Sequence, residues 1–134
     1  MQSENANTAL IEALEQAVGV ANLKVGDSVP EAARNDWSGE PGGAPLALAT
    51  PRNTEAVAAL LKICHAFGTP VVPQGGRTGL AGGAVSSEGA VLLSLSNFDQ
   101  IEEIDPASGL MVVGAGCILQ RLQEAALEAG LSFP

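Results

Sequence analysis

The sequence predicts an α+β fold in which a small mixed sheet is flanked by helices. Three observations carry that prediction. Apolar runs of strand length recur along the chain: PLALA at 45–49, TPVV at 69–72 and AVLLSL at 90–95. A helical pattern separates the first two, as in a strand–helix–strand crossover. Further on, FDQIEEID alternates loosely, PASG turns, and LMVVGAG follows, which predicts a hairpin over about 100–113.

Each element has its own signals. ALIEALEQAVG places Leu10, Ile11, Leu14 and Val18 on one helical face, with Gly19 as the stop. A weakly patterned stretch follows through Asp36, Trp37, Ser38 and the PGG at 41–43. It reads as an irregular surface segment, with its tryptophan expected in the core. In the crossover helix Asn53 or Thr54 supplies the N-cap. Val57, Leu60, Leu61 and Cys64 recur at helical spacing, and Gly68 ends it. The last helix, ILQRLQEAALEAG, is amphipathic through Ile118, Leu122, Ala125 and Ala129. LSFP then reads as the start of a strand or loop.

Composition narrows the function. The chain has 134 residues, 46% of them hydrophobic, enough for one modest core. Six basic against fifteen acidic residues give a net charge of -9. That balance argues against nucleic acid, whose phosphates need basic patches, and indicates no contact with anionic membranes. An acidic protein still binds an anion locally through backbone N–H groups. Cys64 and Cys117 form no CxxC pair and read as two reduced thiols in a cytoplasmic protein. The sequence shows neither a secretory apolar region nor a transmembrane stretch.

Residues 73–84, PQGGRTGLAGGA, give up side chains at five of twelve positions. Glycine adopts backbone angles closed to other residues and lets another molecule approach the main chain. Successive N–H groups in such a turn form an anion nest. Arg77 and Thr78 add a charge and a hydroxyl donor. The loop follows a strand, where ligand loops of α/β folds often sit. It contains no lysine, which excludes a Walker loop, and its glycine spacing is not GxGxxG. The competing reading is a tight surface turn. Against it, Pro70 and Pro73 stiffen the lead-in, and Leu80 and Val85 provide apolar anchors.

VVPQGGRTGLAGGAV closely resembles the pyrophosphate loop of FAD-dependent oxidoreductases of the vanillyl-alcohol oxidase (PCMH) type. The branch it resembles is that of D-lactate, glycolate and D-2-hydroxyglutarate dehydrogenases. NDWSGEPGGAPLALATPRNTEAVAALLKICHAFGTP and LLSLSNFDQIEEIDPASGLMVVGAGCILQRLQEAALEAGLSFP resemble flanking pieces in the same order. The resemblance therefore covers about Arg34 to the end.

It implies a noncovalent FAD site. The backbone at Gly75, Gly76, Arg77, Thr78 and Gly79 would wrap the pyrophosphate, with the Thr78 hydroxyl donating. Pro73 and Gln74 would lead to the nucleotide half. Leu80, Gly82, Gly83 and Ala84 would pass near the ribityl chain or flavin. Some relatives carry a histidine in this loop that bonds covalently to the flavin, and this chain has none there. Most members of the branch carry asparagine where Arg77 stands, so its role, on phosphate or facing solvent, is left open.

Residues 1–33 are read as an N-terminal helix and lead-in segment, and the resemblance implies that 34–134 are an FAD-binding domain truncated at its C-terminus. The complete protein is expected to oxidise a D-2-hydroxy acid to the 2-oxo acid, passing electrons to an acceptor. Substrate groups and any metal site would lie in a later domain, and this chain alone is expected to be inactive. No catalytic or metal-binding residue is assigned within it. His65 lacks a partner at useful spacing and reads as a helix side chain. Cys117 opens a helix without a supporting base. Asp99, Glu102, Glu103 and Asp105 read as a solvated acidic face. The alternatives are an NADPH-using reductase of enolpyruvyl amino sugar nucleotides on a related fold, and a non-enzymatic domain with a structural glycine loop.

Overall fold

A computed structural model describes residues 2–134. The first helix, α1 (Gln2–Val18), is followed by a short strand β1 (Leu23–Val25) and a lead-in containing two 3-10 turns. The crossover comes next: β2 (Ala47–Ala49), α2 (Thr54–Ala66) and β3 (Val71–Gln74). The loop at 75–90 leads to β4 (Val91–Ser94). The hairpin β5 (Ile101–Asp105) and β6 (Leu110–Val113) and the helix α3 (Leu119–Glu128) complete the chain.

The first four strands form one mixed sheet in the order β1-β2-β4-β3. β2 and β3 both run parallel to β4, which lies between them, while β1 is antiparallel to β2. β5 and β6 pair separately. The α+β architecture and the hairpin agree with the expectation from sequence. β1 lies in the stretch read as irregular. Its three residues carry little pattern of their own, and its register comes from tertiary pairing of Leu23 with Ala49.

The sheet is buried on both faces, and its side chains sort by the strand period of two. Ala47, Ala49, Val91 and Leu93 share a core with Leu10, Leu14 and Val18 of α1 and Leu60 and Cys64 of α2. Leu48 and Leu92 face the other way and pack with Val29 and Ala33 from the lead-in. Helix α2 begins where the Asn53 side chain accepts the Ala56 N–H at 2.8 Å. It ends ahead of Gly68, whose φ of +64° suits glycine. Pro73 is tolerated in β3 because β3 is an edge strand.

Trp37 is not in the core: it is 71% exposed. The Trp37 N–H is spent on the Gly79 carbonyl at 3.2 Å, and the indole remains on the outer side of the lead-in. On α3 the predicted apolar face is only partly used. Leu122, Ala125 and Ala129 are half-buried and Ile118 is 67% exposed, while the one buried residue of the helix, Ala126, lies outside that set. Among the described residues no helix is long and apolar enough to cross a membrane.

Candidate functional site

The glycine loop leaves the edge of the sheet where β3 ends. There the Gln74 carbonyl accepts the Leu95 N–H at 2.9 Å, the last rung before the strands part. Facing the loop is the turn from β6 into α3. Glycines let that turn approach closely. A Cβ at Gly114 would collide with the Phe98 carbonyl, and one at Gly116 with the Leu95 carbonyl. Their absence brings the start of α3 beside the loop and leaves a groove between the two.

The groove consists of two adjoining hollows that share Gly76 and Ile118. One, of about 180 Å³, is lined by Gly75, Gly76, Ser96, Asp99, Gly116, Ile118 and Arg121. The other, of about 530 Å³, is lined by Gly76, Thr78, Cys117 and the first turn of α3. Ile118 caps α3 without a side-chain bond, so the first-turn N–H groups lack a capping side chain. The structure thus brings Gly75, Gly76 and Thr78 to the groove from the predicted residues. Pro73, Arg77, Gly79, Leu80, Gly82, Gly83 and Ala84 do not line it. Leu80 is 76% exposed.

Two loop residues sit otherwise than their letters suggest. Gln74 is 1% exposed and turned inward. Its Nε2 donates to the carbonyls of Ala33 at 2.8 Å and Ala84 at 2.7 Å. Arg77 adopts φ of +56°, the one left-handed non-glycine among the described residues. The basic side chain on the groove is instead Arg121. Its Nη1 donates to the Asp99 carbonyl at 2.8 Å and lies 3.6 Å from the Asp99 carboxylate. Sequence reading missed Arg121, because an arginine on an amphipathic helix reads as a solvated face. The hairpin that folds Asp99 back towards the loop carries no letter pattern announcing the contact.

Whether these residues suit a diphosphate can be tested at the glycines. At Gly76, Gly79 and Gly83 an added Cβ would meet nothing within 4 Å, and φ lies outside the left-handed region. At Gly75 it would make ordinary contact with the Ala115 carbonyl at 3.7 Å. Neither internal packing nor backbone conformation demands glycine there. Bare main chain facing open space is a cradle that side chains would fill, and it suits a ligand held by amides. Gly82, at φ +77°, is the exception whose conformation does call for glycine.

The other candidate groups are dispersed. Cys64 is 1% exposed, and burial pushes its thiol pKa up. His65 is exposed on α2. No group of three or more His, Cys, Asp or Glu able to hold a metal occurs among the described residues. Cys117 is half-buried, with Sγ 3.3 Å from the Gln100 carbonyl.

Comparison with known proteins bears on the fold and the cofactor class. Residues 45–134 match the family model described as "FAD binding domain". The chain is 37% identical over 124 residues to a D-2-hydroxyglutarate dehydrogenase of Xanthomonas citri pv. viticola, covering 92% of this chain and 26% of that protein. It is 42% identical over 84 residues to a D-lactate dehydrogenase of Archaeoglobus fulgidus, covering 63% of this chain and 19% of that protein. The chain therefore spans about a quarter or less of the length of these relatives. Among solved structures, 4-ethylphenol oxidase from Gulosibacter chungangensis superposes with a TM-score of 0.81 at 23% identity, covering 94% of this chain and 25% of that one. At that identity the likeness concerns the fold. The relatives also correct the cytoplasmic expectation, since the D-2-hydroxyglutarate dehydrogenases of Arabidopsis thaliana and Bos taurus are mitochondrial. Unpaired cysteines report reducing conditions and do not separate one reducing compartment from another.

Proposed function

The chain belongs to the FAD-binding-domain family over residues 45–134, and from that premise we propose that its groove holds the diphosphate of FAD for the oxidation of a D-2-hydroxy acid. The observation that carries the proposal is Gly76, which lines both hollows and which neither packing nor conformation requires to be glycine.

Each groove residue then has a task. The amides around Gly75, Gly76 and Thr78 donate to phosphate oxygens, and the Thr78 hydroxyl adds a donor. Arg121 supplies positive charge in a chain whose net charge is -9. The N-terminal turn of α3 adds its N–H groups and the positive end of its dipole. The loop at 73–84 holds neither histidine nor cysteine, so it binds the cofactor without a covalent bond. When bound, the flavin supplies an acceptor for a hydride.

The substrate class comes from the relatives, which are named for D-2-hydroxyglutarate and D-lactate. This chain's contribution is to fix and orient the cofactor. The test uses the intact protein that carries the chain. It is expected to purify with flavin absorbance and to reduce a dye acceptor with D-2-hydroxyglutarate, D-lactate or glycolate. Flavin-free protein that also fails to bind added FAD would refute the proposal.

A further inference from the structure

We infer that residues 33–37 form a clip that sets the shape of the glycine loop, with Asp36 and Gln74 as positioning residues for the cofactor. The inference rests on reading the groove as the FAD site. The clip precedes residue 45, where the family match begins.

A loop rich in exposed glycine has the least shape of its own, because glycine has the most conformational freedom to lose. Among the described residues, the one backbone bond internal to 75–85 runs from the Val85 N–H to the Gly82 carbonyl at 3.2 Å. The remaining restraints come from outside. The Trp37 N–H donates to the Gly79 carbonyl at 3.2 Å, and the Ser86 N–H donates to the Arg34 carbonyl at 2.9 Å. The two polar groups of Ala84 are both captured. Its N–H donates to Asp36 Oδ2 at 3.4 Å, and its carbonyl accepts from Gln74 Nε2 at 2.7 Å.

Gln74 and Ala84 stand at the two ends of the loop, so their bond closes it over ten residues. The second hydrogen of the same amide goes to the Ala33 carbonyl, which ties the closed loop to the clip. A neutral group with two donors meets two carbonyls in a site that is 1% exposed. Glutamate there would set a carboxylate against both carbonyls. Asp36 is itself fixed, since its Oδ1 accepts the Ser38 N–H at 2.8 Å. The amides around Gly75, Gly76 and Thr78 thus owe their arrangement to contacts behind them, which is how a binding shell is held to shape.

The test compares Asp36→Ala, Asp36→Asn and Gln74→Met with wild type in the intact protein. Three quantities are read: amide exchange of 75–85 without cofactor, FAD affinity from flavin fluorescence, and melting temperature. Asp36→Ala is expected to speed exchange across 75–85 while sparing β2 and β4. It is also expected to weaken FAD about tenfold. Asp36→Asn keeps one acceptor oxygen and should recover part of that loss. Wild type that holds FAD, with affinity and loop exchange unaltered by Asp36→Ala and Gln74→Met, would overturn the clip alone. Wild type that holds no FAD would overturn the cofactor reading, and this inference with it.

Discussion

Arg121 reaches from the first turn of α3 to the Asp99 carbonyl, 2.8 Å away, with the Asp99 carboxylate at 3.6 Å, and both residues flank Gly75 and Gly76 in one hollow. The pair is about half exposed. As a salt bridge it contributes little to stability, on the order of 0–1 kcal/mol. Its position beside the glycine cradle is what gives Arg121 a function. Arg121→Gln is expected to weaken FAD about tenfold at low salt and to flatten the salt dependence of binding. Arg77→Gln is expected to change affinity by less than about threefold, because Arg77 does not line the groove. Titrations of flavin fluorescence at two ionic strengths check both. The reverse ranking would move the cation to the loop.

Two glycines on opposite sides of the groove separate folding from binding. At Gly76 an added Cβ meets nothing, so alanine fits the chain. Gly76→Ala is expected to leave stability unchanged or raise it by about 0.4–1 kcal/mol, through reduced freedom of the unfolded state. The same methyl would stand where the cofactor approaches, so FAD affinity should fall at least about tenfold. Gly116→Ala should act on folding first. Its methyl would collide with the Leu95 carbonyl and cost about 1–3 kcal/mol of stability. Paired measurements of melting temperature and FAD affinity decide. If Gly76→Ala binds FAD as wild type does, the cradle is not the cofactor's.

Asp36 makes the clip sensitive to acid within a defined window. The Ser38 hydroxyl and amide hold its carboxyl below the ordinary 3.8, with a smaller contribution from the Ala84 amide, while desolvation opposes them. A folded-state pKa below the unfolded value contributes stability that is complete above 3.8. That contribution disappears as pH falls through the folded value. Loop protection and FAD affinity should therefore be insensitive to this group from neutral pH down to about 4, and should decline only in stronger acid. Asp36→Asn should remove that acid limb. Amide exchange of 75–85 in wild type and variant, corrected for intrinsic rates, measures it. An Asp36-dependent decline centred well above pH 4 would contradict the assignment.

The parts of this molecule legible in its sequence are those fixed by local pattern. β2, β3 and β4 announce themselves as apolar runs because β2 and β4 are buried on both faces. α2 is bounded by a cap at Asn53 and a left-handed glycine at 68. The loop is legible as a place where main chain is laid bare. What the letters hide is contact between distant segments. Gln74 looks like a ligand residue and is an internal clamp, a role set by Ala33, 41 residues away. Arg121 becomes a groove residue only when the hairpin brings Asp99 to it, 22 residues back. Trp37, the sole tryptophan, invites a place in the core. The core is filled by smaller side chains on both sheet faces, and the indole stays outside.

The two cysteines offer a probe of the groove that is independent of turnover. Cys64 lies within the shared core of α1, α2 and the sheet at 1% exposure. Burial both shields it and raises its pKa, which lowers its reactive thiolate fraction. Cys117 is half-buried and lines the larger hollow beside Gly76 and Thr78. A maleimide should therefore modify Cys117 in the folded protein and reach Cys64 only through unfolding. Bound FAD would cover the hollow, so the Cys117 rate should track the unliganded fraction. At free FAD of about ten times Kd, that rate should fall about elevenfold. Unfolding in denaturant should restore equal labelling of both thiols with or without FAD, which separates occlusion from consumption of the reagent. The experiment is read by mass of the labelled peptides. A Cys117 rate indifferent to saturating FAD would place the cofactor away from the start of α3, whatever the glycine loop does.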